Sequence, residues 1–156
     1  MEAVERAFRA LDEGIADYLA RKGIRPSCGP GCFACCYGWV TASRLEAQAL
    51  LPHLTEAQKA RVLEEGPRRL ALLAREKDDP GFPRRFFLSR SPCPLLEAGL
   101  CGVYAHRPLA CRGVLTDEDP AYCDPENPHP APKPHHGPGH FLRVPPRLAR
   151  SPMEGL

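Results

Sequence analysis

The hydrophobic pattern at the start of the chain predicts an amphipathic helix over residues 2–22. Apolar residues recur there at intervals of three and four, which places them on one face of a helix. Gly23 follows at the position where a helix most often ends. The apolar face consists of Val4, Phe8, Leu11, Ile15 and Tyr18/Leu19.

Two capping boxes predict the next helices. Ser43 to Glu46 has the sequence of the first box, and we expect it to open a short helix that closes near Pro52. Thr55 to Gln58 is the second, and it predicts a helix to about Glu65. The Gly66–Pro67 pair should break or kink this helix, with Pro67 opening another one to about Lys77.

The sequence Asp79-Pro80-Gly81 marks a turn after the predicted helices. Three phenylalanines follow, Phe82, Phe86 and Phe87, and we expect them to pack in the core. Residues 93–104 predict a small β-hairpin with its turn at 97–99, and a short helical turn should start near Pro108.

The fold class predicted by these elements is mainly α: a small single domain with a minor β-hairpin, organised around a cysteine metal cluster. Ten of the 19 prolines lie in residues 120–156, with little apolar periodicity. We therefore expect a domain over residues 1–119 and an irregular Pro- and His-rich tail over residues 120–156.

Composition and charge narrow the class of protein. The chain has 156 residues, 43% of them hydrophobic, and a formal net charge of +2. This charge gives no strong field for nucleic acid or an acidic membrane. The first residues contain acids and no apolar segment of a signal peptide, and no run approaches the roughly 20 residues of a membrane span. We therefore expect a cytoplasmic protein with no membrane partner, and disfavour nucleic acid as a partner.

The eight cysteines are the candidate functional residues. They form a tight group of four and a looser group of four, and in a reducing compartment such clusters usually serve metal binding or catalysis. We predict that all eight are metal-ligating thiolates: Cys28, Cys32, Cys35, Cys36, Cys93, Cys101, Cys111 and Cys123.

Spacing constrains how these thiols could be shared. Cys32 and Cys35 are three residues apart, so their side chains can converge on one face of a helical turn. Cys35 and Cys36 are neighbours, whose side chains point apart in regular structure. Zinc and a [4Fe–4S] cluster both take four thiolates. Eight cysteines therefore fit two four-sulfur centres, or one centre with spares. The alternatives are a disulfide scaffold and unliganded structural cysteines.

The whole arrangement resembles the YkgJ-type cysteine-cluster family, known by the label CxxCxxCC. The resemblance covers roughly residues 25–115 and rests on three motifs. These are Cys28-x-x-x-Cys32-x-x-Cys35-Cys36, then Cys93-Pro94-Leu95-Leu96 with Cys101-x-x-Tyr104, and Arg107-Pro108-x-x-Cys111-Arg112. The first interval has three intervening residues where the label has two, and Cys123 lies outside the pattern. The resemblance implies zinc or iron chelation, with no substrate; some relatives resemble a flagellin lysine methylase, but no methyl-donor site is recognisable.

Several other side chains could assist a metal centre. Arg107 and Arg112 flank Cys111, where they could offset the negative charge of bound thiolates or simply lie on the surface. Tyr104 and Trp39 could shield a cluster from water, although plain core packing is the favoured interpretation of both. His106 is a weaker candidate ligand. Four further histidines in the tail could bind metal in a site that is not preformed: His129, His135, His136 and His140.

No catalytic constellation accompanies the cysteines, so the sequence favours a metal-binding protein over an enzyme. There is no glycine-rich phosphate loop and no metalloprotease helix. The leading hypothesis is a structural or chelating site holding zinc. The alternatives are an iron–sulfur protein that transfers electrons or assists a protein modification, and an adaptor whose metal folds a surface for a protein or nucleic-acid partner.

Overall fold

The computed structural model describes residues 2–124, Asn127 and the backbone of residues 142–143. Over this part the chain is mainly helical, as predicted. The helices are α1 (Glu2–Lys22), α2 (Arg44–Leu50), α3 (Glu56–Glu76), α4 (Phe82–Leu88) and α5 (Leu109–Arg112). Short 3₁₀ turns cover Ala34–Tyr37, Leu51–His53, Tyr104–His106 and Pro120–Cys123.

Two short antiparallel strand pairs complete the fold. The first joins β1 (Leu96–Glu97) to β2 (Leu100–Cys101) and confirms the predicted hairpin. Its turn residues Ala98 and Gly99 both have positive φ, 48° and 74°, as a two-residue hairpin turn of the I′ type requires. The second pair joins β3 (Val114–Leu115) to β4 (Leu142–Arg143), so the backbone of 142–143 returns to the body of the domain.

Helix α1 has the predicted bounds, and its buried residues lie on one face. Val4, Ala7, Leu11 and Ile15 are buried, and α1 contacts α2 and α5. Glu2 and Glu5 lie in the first turn and Arg21 and Lys22 in the last, which suits the helix dipole. Gly23, with φ of 63°, ends the helix.

Both predicted capping boxes are present. Ser43 exchanges hydrogen bonds with Glu46 at the start of α2, and Thr55 with Gln58 at the start of α3. The expected break at Gly66–Pro67 is wrong, because α3 runs without interruption from Glu56 to Glu76. Pro67 lies on the exposed side of this helix, where the buried contacts of the opposite side are not disturbed.

The aromatic core lies between α4 and the chain that precedes α2. Phe82 and Phe86 are buried, as predicted, and Phe87 is half-buried. Trp39 packs edge-on against both buried rings, at centroid distances of 4.9 and 5.0 Å. Trp39 is therefore a core residue, which is the plainer of its two interpretations. No helix of the described part is long and apolar enough to cross a membrane.

Candidate metal centre

The first four cysteines lie in a loop that ends in a tight 3₁₀ turn. The backbone N–H of Cys32 donates to Gly29 O at 2.9 Å. Cys35 and Cys36 lie within the turn Ala34–Tyr37, whereas Cys32 precedes it. Cys32 and Cys35, whose spacing allows them to share a helical turn, are therefore not in the same turn. All eight cysteines of the chain are free thiols and half-buried, so the alternative of a disulfide scaffold is not what the structure adopts.

Thr116 fixes the start of this loop, although it is far away in sequence. Its carbonyl accepts from the N–H of Ser27 at 2.7 Å, and its own N–H donates to Cys28 Sγ at 3.2 Å. Thr116 is buried. Burial raises the pKa of Cys28, while the N–H of Thr116 opposes the shift. A backbone donor to sulfur is the contact that stabilises a bound thiolate.

The early and late cysteine groups meet at Cys36 and Cys93. The N–H of Cys93 donates to Cys36 O at 2.7 Å. This hydrogen bond joins two segments that are more than 50 residues apart in sequence. The late group therefore starts directly beside the turn that holds Cys35 and Cys36.

Two arginines of α3 hold the backbone on both sides of Cys93. Arg69 Nη2 donates to Pro92 O at 2.6 Å, and Arg61 Nε donates to Pro94 O at 2.8 Å. The two arginines are eight residues apart, so both lie on the inner face of the helix. Burial raises the pKa of the Cys93 thiol, and the positive charge of Arg69 acts in the opposite direction.

The hairpin that carries Cys101 is tied to the same helix. Glu97 accepts hydrogen bonds from Arg61 and from the buried Gln58, the latter at 3.2 Å. Gly102 follows Cys101 and donates to Leu95 O at 2.9 Å. A Cβ at Gly102 would lie 2.5 Å from Gln58 Nε2 and 3.0 Å from Leu95 O, so a larger residue there would displace the Gln58 amide from Glu97.

Cys111 lies in α5, and Glu46 of α2 caps the N-terminus of this helix. Glu46 Oε1 accepts from the N–H of Leu109 at 2.9 Å while its other oxygen accepts from Ser43 N. The same carboxylate therefore caps two helices. Burial alone would raise the pKa of Glu46, but these backbone hydrogen bonds outweigh it and lower the pKa.

Arg112, the neighbour of Cys111, is a structural anchor. Its guanidinium is buried and donates to Arg107 O at 2.7 Å, to Ala105 O at 2.7 Å and to Asp12 at 2.6 Å. It also stacks over the ring of Phe8 at 4.5 Å. These contacts fasten the segment before Cys111 to α1. The alternative that Arg112 simply lies on the surface is therefore excluded.

Of the two arginines that flank Cys111, Arg107 is the one whose charge acts on several thiols. Its guanidinium stacks on the Tyr104 ring at 3.7 Å. Its positive charge acts to lower the pKa of Cys28, Cys35 and Cys111. The predicted role of Arg107 in offsetting thiolate charge is therefore supported. Tyr104 holds the Arg107 guanidinium in place by stacking against it.

Cys123, the last cysteine, lies beside the first group. The turn Pro120–Cys123 contacts the turn Ala34–Tyr37, and Asp119 caps it by accepting from Ala121 N at 2.9 Å. Burial raises the pKa of Cys123 to about 11. A cysteine outside the recognised motif is thus adjacent to that motif in space.

The adjacent thiols of Cys35 and Cys36 interact directly. The interaction between the two thiol side chains lowers the pKa of Cys35 to about 6 and raises the pKa of Cys36 above its usual range. Burial raises the pKa of Cys111 to about 12. Cys35 is thus the most acidic of these three thiols and the readiest to act as a thiolate.

The thiols fall into two electrostatic neighbourhoods. The negative charges of three other cysteines, Cys32, Cys28 and Cys35, raise the pKa of Cys123, and the charge of Asp119 raises it as well. Those that raise the pKa of Cys36 come from Cys35, Cys93 and Cys101. Cys111 responds to Cys93, Cys35 and Cys101. Cys35 belongs to both neighbourhoods and lies between them.

The thiols do not form a finished coordination shell in this conformation. Within the described residues, no three or more His, Cys, Asp or Glu side chains converge closely enough to hold a metal ion. The donor chemistry nevertheless fits zinc or iron, since both take four thiolates. Thiols on short turns can rotate about χ1 as they lose their protons to a metal.

The histidines play no part in these neighbourhoods as far as they are described. His106 stacks on His53 with the two rings 3.5 Å apart. Burial, and then the charges of His53 and Arg112, lower the pKa of His106. The predicted tail site at His129, His135, His136 and His140 lies outside the described residues.

Sequence reasoning missed the residues that position the cysteines. Thr116, Arg61 and Arg69 belong to no cysteine motif. Glu46 was recognised as half of a capping box, but nothing local indicated that its second oxygen would cap α5. Each of these contacts joins residues more than 20 positions apart, and only an alignment of covarying positions would have offered a signal.

The eight cysteines lie in a loop and its 3₁₀ turn, in and beside a hairpin, in α5 and in the turn Pro120–Cys123, and their number and spacing are those of a cysteine-cluster protein. The chain belongs to the family whose model is described as "CxxCxxCC: Putative zinc- or iron-chelating domain", which matches residues 27–126. The match confirms the resemblance seen in the sequence and extends past Cys123. Comparison with curated proteins and with solved structures gave no match.

Proposed function

We propose that this protein binds zinc through its cysteine thiolates, and that the bound metal ties its helices together. The family description supports a metal, zinc or iron. The observation that carries the structural role is the hydrogen bond from Cys93 N to Cys36 O. It brings together cysteine-bearing segments held by different helices, so metal there would link distant parts of the chain.

The thiols would serve two four-sulfur centres. The first thiol set is Cys28, Cys32, Cys35 and Cys123, and the second thiol set is Cys36, Cys93, Cys101 and Cys111. The division follows the contact between the turns Ala34–Tyr37 and Pro120–Cys123 and the electrostatic neighbours of each thiol. It also places the neighbouring thiols of Cys35 and Cys36 in different centres, although the two interact with each other when no metal is bound.

Metal content measured on single-cysteine variants tests this division. The protein purified without oxygen should hold two zinc ions per chain. Cys123→Ser and Cys93→Ser should each retain one, and the double variant none. A single metal in the unmodified protein would contradict the two-centre division. Full retention of metal by both single variants would show that these cysteines are not ligands.

Colour decides between zinc and the iron–sulfur alternative. Zinc thiolate centres are colourless, whereas an iron–sulfur protein prepared without oxygen is brown. Zinc also acts as a closed structural ion when all four ligands are protein side chains. If the purified protein contains stoichiometric iron and acid-labile sulfide, its centres are iron–sulfur clusters and not zinc. Electron transfer would then be favoured over a structural role.

A further inference from the structure

The outer face of α3 carries an apolar stripe. Leu63 and Leu70 expose 75% and 68% of their surface. They are seven residues apart, and Pro67 lies between them on the same face. Ala60 and Ala74, both exposed, extend the stripe by one turn at each end. Isolated exposed leucines are ordinary, but a continuous exposed stripe on a 21-residue helix marks an interaction surface.

From this surface we infer that the protein forms a two-fold symmetric dimer in which the α3 helices of two copies pack antiparallel. The inference does not depend on the bound metal. A two-fold axis between Gly66 and Pro67 would place Leu63 of each copy against Leu70 of the second copy.

Charges beside the stripe match this arrangement. In the antiparallel register, Glu64 of one copy lies next to Arg68 of the second copy, and the symmetry repeats the pair. Glu64 is exposed, and Arg68 exposes 48% of its side chain although it also binds Glu65 and Ser91. Glu56 and Lys77 are exposed at opposite ends of α3, so Glu56 of one copy lies next to Lys77 of the second copy. An isologous interface of this kind is self-complementary.

The size of the contact predicts a weak dimer. A helix of 21 residues is about 30 Å long, so a single helix pair buries less than the roughly 1,200–2,000 Å² of a stable complex. We therefore expect reversible association that becomes visible only at high protein concentration.

Sedimentation velocity of the full chain over a wide concentration range tests the dimer. The sedimentation coefficient should rise with concentration. Leu63→Glu and Leu70→Glu should each weaken association about tenfold or more, since each buries a charge against a leucine. Leu51→Glu is the matched control, because Leu51 is 50% exposed but lies outside α3, and it should associate like the unmodified protein.

Charge exchange tests the antiparallel register. Glu64→Arg and Arg68→Glu should each weaken association severalfold, and the double variant should regain it because the cross-copy pairs are restored. Circular dichroism confirms that each variant is folded. A protein that stays monomeric at every concentration overturns the inference, as does association that persists in both leucine variants. Failure of the double variant to recover overturns the proposed register.

Discussion

Arg112 shows how one buried side chain can organise the candidate site. A single guanidinium satisfies two backbone carbonyls and pairs with Asp12 across 100 positions of sequence. The geometry uses three of its nitrogen atoms at once. Lysine has one nitrogen and could not reproduce these contacts.

We therefore expect Arg112→Lys and Arg112→Ala to destabilise the fold by about 3 kcal/mol, since each removes hydrogen bonds from a charged donor to two backbone carbonyls, and such bonds contribute about 1.5–3 kcal/mol each. Chemical unfolding provides the measurement. Arg21→Ala is the control, because Arg21 pairs with Asp17 on the exposed side of α1. It should change stability by less than about 0.5 kcal/mol. Equal effects at both positions would contradict the anchoring role of Arg112.

Glu46 should make stability depend on pH. Its pKa is lower in the folded protein than in the unfolded chain, where a glutamate titrates near about 4.3. The unfolded state therefore binds more protons in this window, so the stabilisation is complete above about pH 5 and is lost as pH falls through the folded pKa.

The free energy of unfolding between pH 6 and pH 3 checks this effect. Glu46→Gln should lose less stability than the unmodified protein over that range, because glutamine does not titrate. At pH 6 the Glu46→Gln variant should be less stable than the unmodified protein. Both oxygens of Glu46 accept hydrogen bonds from backbone N–H groups, and the variant replaces one of them with an NH₂ group that donates. Parallel pH curves for the two proteins would show that Glu46 does not contribute.

At the scale of elements, α3 is the scaffold of the site. Its inner face holds the backbone on both sides of Cys93, and its outer face carries the apolar stripe. Gly66 and Pro67 are poor helix residues in the middle of it. Pro67 has no N–H, so the carbonyl of Leu63 lacks its helical donor.

Pro67→Ala should therefore stabilise the protein, by about 1–3 kcal/mol, since proline costs about 3 kcal/mol relative to alanine inside a helix. Gly66→Ala should add about 0.5–1 kcal/mol, because its new Cβ meets nothing. Unfolding at low concentration, where the proposed dimer is dissociated, gives both values. A loss of stability in Pro67→Ala would mean that the proline fits a bend the packing requires.

The sequence predicted those elements whose signals are local. The two capping boxes, at Ser43 and Thr55, and the hairpin that carries Cys101 depend on residues two to five positions apart, and all three form as expected. The break at Gly66–Pro67 was wrong because propensity is a weak term, and the contacts made by Arg61 and Arg69 lie on the other side of the same helix.

The candidate site was predictable in its chemistry and not in its arrangement. Eight closely spaced cysteines indicate a metal from the sequence alone. Their neighbours in space depend on contacts such as Thr116 with Cys28 and Glu46 with Leu109, each spanning more than 60 positions. No local pattern encodes such distances, so the placement of Cys123 beside the first group could not be foreseen.

At the scale of the whole molecule, metal removal should loosen the body of the protein and not only a loop. A structural zinc contributes on the order of 10 kcal/mol of folding free energy, against about 5–15 kcal/mol for a whole domain. Thermal unfolding with and without a strong chelator, together with metal content, should show a large fall in the midpoint.

Single substitutions refine that experiment. Cys32→Ser and Cys111→Ser should each reproduce much of the loss, since each removes a thiolate. His135→Ala and His136→Ala are the controls and should change little. If the midpoint stays constant after complete metal loss, the site is not structural.

The hydrogen bond between Thr116 and Cys28 also has a consequence for how the protein is made. The two residues are 88 positions apart. At the usual pace of synthesis, about 5–20 residues per second, some 4 to 18 s separate their appearance on the ribosome. The first four thiols therefore emerge long before the segments that surround them. A nascent chain must keep them reduced for that interval, and a metal held by both cysteine groups could be fully enclosed only after Cys123 has been made.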